Sequence, residues 1–203
     1  AYIHTEKIGR RIVVRPTWEE YTPLGDEIVI DLDPGAAFGT GAHATTAMCL
    51  RWLEHVVCPG MRVYDVGCGS GILAIAASKL GAGEVIAMDY DPVAVSVAEE
   101  NIEQNHVTNV VALQSDLLTV CRGMPPAELI TANIIADIII RLFDQLDQHM
   151  APGGVLLASG IIDDRIDDVE RAAKEHGFTV LDMTCEKEWA AMIIRRTADL
   201  EEA

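Results

Sequence analysis

From about Arg62 onward, apolar and polar positions follow two different periodic patterns along the chain. Short apolar runs predict strands, whereas longer runs with apolar residues three and four positions apart predict helices. The predicted strands cover residues 62–66, 84–89, 110–113, 128–133 and 155–160. Predicted helices cover residues 71–82, a segment beginning at Pro92, 135–149 and 163–176. This alternation indicates an α/β fold, in which a parallel sheet carries helices on both faces.

The C-terminal part departs from simple alternation. Residues 178–185 and 189–196 are apolar runs joined by a short turn, so they are predicted to pair as an antiparallel hairpin. We therefore expect a three-layer, doubly wound, mostly parallel sheet of seven strands that ends in this hairpin. A dinucleotide-binding fold does not usually end in that way.

The part before Arg62 has a weaker pattern. Residues 10–18 and 27–32 are predicted strands, 33–46 a glycine-punctuated loop and 46–57 a helix. We expect residues 1–58 to pack, as linker strands, loop and leading helix, on a ligand-binding core at 59–197. Residues 198–203 are expected to form an exposed acidic tail.

Composition narrows the classes of function. The formal net charge is -17 and half of the residues are hydrophobic, which favours a folded domain and argues against direct nucleic-acid binding. An acidic chain can attract a basic partner, although solubility alone also explains the charge. Five scattered cysteines without a C-x-x-C pair argue against disulfides and a zinc site, so no metal is expected. Neither a signal peptide nor a membrane span is visible, and a cytoplasmic protein is expected.

Candidate chemistry gathers where the strands end. The sequence VYDVGCGSG (63–71) carries Asp65 and three alternating glycines, Gly67, Gly69 and Gly71, at a strand-to-helix turn. Asp89 ends the next strand about 20 residues later, where a carboxylate can accept hydrogen bonds from ribose hydroxyls. Asn133 ends the fourth strand. These strand ends meet at one edge of a parallel sheet, so they predict a crevice for a nucleoside.

Two ligands compete for this crevice. A dinucleotide requires G-x-G-x-x-G with its pyrophosphate at the helix N-terminus, whereas this loop has G-x-G-x-G. The charge of Asp65 would disfavour a nearby pyrophosphate and would suit a ligand with an ammonium group. S-adenosylmethionine carries such a group on its methionine moiety, and is the favoured cofactor.

The motif DVGCGSG followed by MDYD (88–91) resembles the class I S-adenosylmethionine-dependent methyltransferases. The loop DPGAAFGTGAHATT (33–46) and the segment ANIIAD (132–137) are similar to the bacterial ribosomal-protein methyltransferase family PrmA, which modifies large-subunit protein eleven. The likeness runs from about Arg15 to Arg195. It implies a Rossmann-like methyltransferase fold, S-adenosylmethionine as cofactor and a basic ribosomal protein as substrate.

Family members usually carry an N-terminal domain that grips the substrate. We therefore expect this chain to be an excised catalytic domain, or to recognise its substrate differently. The resemblance also implies individual roles. Cofactor contacts are expected from Thr46, Gly67, Gly69, Asp89 and Asn133. Phe38 is expected to pack on the cofactor and Asp65 to lie near its methionine end. Ser115 and Asp116 are expected near the adenine.

The acceptor is expected to be an amine. Methyltransferases that act on planar groups often place N-P-P-Y at the position of Asn133, and this chain has NIIA. A flexible amine, from a lysine side chain or an N-terminal α-amine, suits this segment better, with Asn133 orienting it. His43 is a minority candidate for the base that deprotonates it. Alternative functions are a nicotinamide-dependent oxidoreductase and a non-catalytic S-adenosylmethionine-binding domain, and the oligomeric state stays open.

Overall fold

The computed structural model describes residues 4–33 and 42–201. Strands are numbered along the chain. The main sheet has seven of them, in the order β6 (Val110–Gln114), β5 (Val85–Asp89), β4 (Val63–Val66), β7 (Ala127–Asn133), β8 (Met150–Ile162), β10 (Trp189–Arg196) and β9 (Phe178–Glu186). The first five of these are parallel, and the last two form an antiparallel hairpin against β8. The predicted doubly wound α/β fold with a C-terminal hairpin is thereby confirmed.

From Val63 onward the element bounds agree with the sequence pattern to within a few residues, except at β8 and at the C-terminal segment. Helices are α1 (Ala42–Val56), α2 (Ile72–Lys79), α3 (Pro92–Gln104), α4 (Ala136–His149), α5 (Ile166–Glu175) and α6 (Thr197–Glu201), with single 3-10 turns at Thr119–Cys121 and Asp163–Arg165.

The N-terminal strands form a sheet of their own. β1 (Glu6–Lys7) pairs antiparallel with β2 (Ile12–Arg15), and β2 pairs in parallel with β3 (Ile28–Asp31). This sheet is fastened to α1 by the carboxylate of Glu54, which accepts three consecutive backbone N–H groups, those of residues 10–12, at 2.6–3.2 Å. Charge-assisted bonds of this kind are among the stronger hydrogen bonds in proteins.

Two apolar cores lie on the two faces of the main sheet. One joins the N-terminal sheet, α1, α2 and α3, through residues such as Ile30, Leu53 and Ile75. The other packs α4 and α5 on the opposite face, through residues such as Leu142 and Val169. Successive side chains of a strand point to opposite faces, and the fully buried β4 shows this division: Val63 belongs to the first core, and Tyr64 and Val66 to the second.

Three elements differ from the sequence expectation. Helix α1 begins at Ala42 and not at Thr46. Residues 42–45 include no glycine or proline, so nothing in this stretch prevents the helix from starting one turn earlier. Strand β8 begins at Met150, within a ladder that pairs Met150 with Ala127, and so runs through the PGG segment. The expected acidic tail is a short helix at residues 197–201, docked by Asp199, which accepts the Gly153 N–H at 2.9 Å and pairs with Arg196 at 3.0 Å.

Within residues 4–33 and 42–201, none of the helices combines the length and the apolar character that a bilayer crossing requires.

Candidate functional site

The glycine loop joins β4 to α2 in a conformation that side chains would strain. Gly67 has a φ of +68°, and a Cβ at this position would lie 2.4 Å from Cγ2 of Ile134. Gly69 has a φ of +51°, but a Cβ there would meet no described atom within 4 Å. Gly67 is therefore required by both conformation and packing. Gly69 is required by conformation, and its backbone borders open space that a ligand can approach.

Asp89, at the end of β5, holds two loops together. Its Oδ2 accepts the Gly69 N–H at 3.0 Å, and its Oδ1 accepts the Asp91 N–H at 3.0 Å. The carboxylate is thus the point at which the glycine loop meets the start of α3. Each carboxylate oxygen has two lone pairs, so both can accept a further hydrogen bond from a hydroxyl.

Asp65 lies in β4, beneath the glycine loop, and is 1% exposed. Its Oδ1 accepts a hydrogen bond from the Thr131 hydroxyl at 2.8 Å, while Oδ2 has no hydrogen-bond partner in the described part of the chain. Burial raises the pKa of this carboxyl to about 7, and the Thr131 hydrogen bond opposes the rise. A buried oxygen without a partner is uncommon, and it fits a positively charged ligand group.

Sequence reasoning overlooked Thr131 although a signal was present. It stands directly opposite Asp65 in the parallel pairing of β4 and β7, as the polar residue in the buried stretch 129–132 of β7. A hydroxyl there is 1% exposed and therefore needs a partner, which the neighbouring strand supplies.

The structure brings Asn133 and Thr46 into contact. Asn133 ends β7, and its Nδ2 donates to Oγ1 of buried Thr46 on α1 at 3.4 Å. The next two residues are isoleucines: Ile134 packs on Gly67, and Ile135 is 63% exposed at the start of α4. An amide side chain thus lies beside an apolar surface at the same edge of the sheet as Asp65 and Asp89.

His43 lies in the first turn of α1 rather than in a loop. Its Nε2 is 3.0 Å from Oε2 of Glu6, and both side chains are about two-fifths exposed. The ring therefore links α1 to β1. His43 precedes Thr46 by three residues, a spacing that puts the two on one side of the helix.

Ser115 and Asp116 follow β6 in different environments. The Ser115 hydroxyl donates to the Leu117 carbonyl at 2.8 Å and accepts the Val120 N–H at 3.0 Å, so it stabilises its own turn. Asp116 is exposed, and its carboxylate lies 3.6 Å from the guanidinium of Arg141. Phe38 falls outside the described residues.

No group of three or more histidine, cysteine, aspartate or glutamate side chains arranged to hold a metal ion occurs in the described ranges. The five cysteines are unpaired thiols, three of them buried. Burial raises the pKa of Cys49 to about 12 and also raises that of Cys68, the residue between the first two loop glycines. Both thiols are therefore neutral at physiological pH.

Comparison with known proteins identifies the relatives of this chain. A family model described as ribosomal protein L11 methyltransferase (PrmA) matches residues 1–197. Curated proteins of that name from Caldanaerobacter subterraneus subsp. tengcongensis and Heliobacterium modesticaldum are 55% and 51% identical, over 96% and 97% of this chain. The chain spans 62% of the length of each. A crystal structure of a ribosomal protein L11 methylase from Lactobacillus delbrueckii subsp. bulgaricus is 34% identical, has a TM-score of 0.88, and is matched over 97% of this chain and 99% of that one. The chain belongs to the ribosomal protein L11 methyltransferase (PrmA) family.

Proposed function

We propose that this chain binds S-adenosylmethionine at the carboxyl ends of β4, β5 and β7, and transfers its methyl group to amines of a ribosomal protein. The observation that carries the proposal is the buried carboxyl of Asp65 beneath the glycine loop, whose Oδ2 has no hydrogen-bond partner among the described residues. A pyrophosphate next to a buried carboxyl would be disfavoured by like charge, whereas an ammonium group would compensate it. Family membership supports the same reading.

Each residue around the loop has a role in this proposal. Asp65 receives the ammonium group of the methionine moiety, and Asp89 accepts hydrogen bonds from the ribose hydroxyls. The backbone at Gly67 and Gly69 admits the cofactor closely, and Thr46 holds the Asn133 amide at the edge of the site. For the remaining expected contacts, Phe38 covers the cofactor, and Asp116 faces the adenine on a turn stabilised by Ser115.

The protein contributes binding and orientation rather than a covalent intermediate. When bound, S-adenosylmethionine supplies an electrophilic methyl group on a positively charged sulfur. Asn133 orients the acceptor amine, and the apolar surface of Ile134 and Ile135 excludes water from it. Alignment of two reactants can contribute roughly 7–11 kcal/mol. The amine must be neutral, because its lone pair forms the new N–C bond as the methyl–sulfur bond breaks and S-adenosylhomocysteine leaves. The rate should therefore rise with pH until the amine is deprotonated.

The substrate follows from charge and from the family. A chain with a formal net charge of -17 attracts basic proteins. The family is named after ribosomal protein L11, which is therefore the proposed substrate. We place the reaction in the cytoplasm, where ribosomal proteins are made. Both lysine side chains and an N-terminal α-amine are acceptors of suitable chemistry, and direct contact with nucleic acid or membrane is not part of the proposal.

Two measurements test the proposed function. Calorimetric titration with S-adenosylmethionine and with NAD should show binding of the first and none of the second, and the reverse result would favour an oxidoreductase. Labelled S-adenosylmethionine with a mixture of ribosomal proteins should then transfer label to one basic protein. Binding without transfer would indicate a non-catalytic domain.

The effects of salt and of a substitution at His43 on methyl transfer test the mechanism. Added salt should slow transfer to the protein substrate, because surface charges are screened beyond about 8 Å at physiological ionic strength. Replacement of His43 by asparagine should change the pH–rate profile if the ring is the base, and should leave the profile unchanged if His43 only links α1 to Glu6.

A further inference from the structure

The contact between Thr131 and Asp65 is unusual for the middle of a sheet. The two residues are Cα partners on the parallel strands β7 and β4, and each is 1% exposed. A hydroxyl on one strand donates to a carboxylate on the next at 2.8 Å, among strands whose other buried side chains are mostly apolar. Burying an ionisable carboxyl is costly, so its retention calls for a purpose beyond packing.

The hydrogen bond determines which oxygen stays available. Because the Thr131 hydroxyl engages Oδ1, rotation of the carboxyl group is restricted and Oδ2 is the oxygen left without a partner in the described residues. An orphaned buried oxygen beneath a ligand-binding loop indicates a group that arrives from outside the protein.

We propose that Thr131 is a positioning residue, which presents Oδ2 of Asp65 to the ammonium group of the cofactor, and that cofactor binding releases a proton from Asp65. This inference rests on the proposed function, because it requires a ligand that carries an α-amino acid. It adds Thr131 to the residues that bind the cofactor, and it adds the release of a proton to the binding step.

The groups that surround Asp65 make a proton exchange near neutral pH reasonable. Burial raises the pKa of Asp65 to about 7, and the charge of Asp89 adds a smaller rise. The Thr131 hydroxyl lowers this pKa, and so does the nearby Ala74 backbone N–H, although that N–H makes no hydrogen bond to Oδ2. Burial, and to a smaller extent the charge of Asp65, raises the pKa of Cys49 on α1 and of Cys68 in the loop. Both thiols therefore stay neutral. An arriving cation favours the ionised carboxylate and therefore displaces its proton.

Two ligands that differ only in the amino acid tail provide the test. S-adenosylhomocysteine has the α-ammonium group, and 5′-methylthioadenosine shares the nucleoside but lacks the amino acid. Calorimetry in buffers of different ionisation enthalpy should show up to one proton released with the first ligand below about pH 7, and none with the second. The affinity for S-adenosylhomocysteine should fall up to about tenfold per pH unit below that point, while that for methylthioadenosine stays level.

Variants assign the effect to Thr131. Thr131→Val preserves side-chain shape but removes the donor, so the pH at which affinity falls should move upward and S-adenosylhomocysteine should bind several-fold more weakly near pH 7. Thr131→Ser keeps a hydroxyl and should restore both properties. Asp65→Asn should abolish the proton release and leave methylthioadenosine binding within about twofold. Thermal melting of each variant confirms that it is folded.

The outcomes separate the inference from the proposed function. If wild-type protein binds neither adenosyl ligand, the proposed function fails. If both ligands bind but no proton is released, the inference fails and the function stands. The inference also fails if Thr131→Val weakens the two ligands equally without moving the pH midpoint, since that pattern would show a purely structural role.

Discussion

Replacing Asp65 with asparagine should make the protein more stable at alkaline pH while it weakens cofactor binding. Asp65 is fully buried, and burial raises the pKa of its carboxyl from 3.8 to about 7. A folded-state pKa above the unfolded value means that the native protein binds the proton more tightly. The resulting stability is present at acid pH and is lost as the pH rises toward 7.

The size of the effect follows from the pKa difference. A shift of about three units at 1.36 kcal/mol each corresponds to about 4 kcal/mol lost between acid and alkaline pH. About 2 kcal/mol of this loss falls between about pH 5.5 and about pH 8.5. The amide that replaces the carboxyl can still accept from Thr131, but its NH2 group is left unpaired at a cost of about 1–3 kcal/mol. That cost is the same at both pH values, so it cancels in the pH difference.

Urea unfolding of the wild type and of Asp65→Asn at the two pH values measures this difference. The wild type should lose about 2 kcal/mol more than the variant on going to the higher pH. Glu100→Gln, at an exposed position of α3, removes the same charge and should behave as the wild type does. Equal pH dependence in wild type and Asp65→Asn would refute a buried carboxyl with a raised pKa.

Three further substitutions test other parts of the structure. Gly67→Ala should lower the free energy of unfolding by about 1–3 kcal/mol more than Gly25→Ala, because both have positive φ but only the first meets another side chain; equal losses in denaturant unfolding would argue against the contact. Glu54→Gln should cost about 1–3 kcal/mol and speed amide hydrogen exchange in β2, because it weakens three charge-assisted bonds; unchanged exchange relative to Glu100→Gln would contradict this. Asp89→Asn should weaken S-adenosylhomocysteine and methylthioadenosine alike in calorimetry, by about tenfold or more, since Asp89 is assigned to the shared ribose; a loss confined to the first ligand would overturn that assignment.

The sequence pattern was most informative where local chemistry decides structure. The alternation of strands and helices after Arg62, the hairpin at residues 178–196 and the loop glycines were all readable, because periodicity and backbone freedom are local properties. The sequence pattern is less informative about contacts between segments that are distant along the chain. The pattern puts the start of α1 one turn too late, and it indicates an exposed tail at residues 198–203, where Asp199 in fact accepts the Gly153 N–H.

The candidate site shows the same division. The types of residue at the strand ends, Asp65, Asp89 and Asn133, indicate from the sequence alone a ligand with a ribose and a cationic group. Only the tertiary structure decides that Asp65 is buried against Thr131, with its other oxygen lacking a partner in the described part of the chain, and that Asp89 binds the glycine loop. Strand register and burial depend on residues far apart in the chain. They set the pKa and the geometry of a side chain, whereas the sequence alone determines only which group is present.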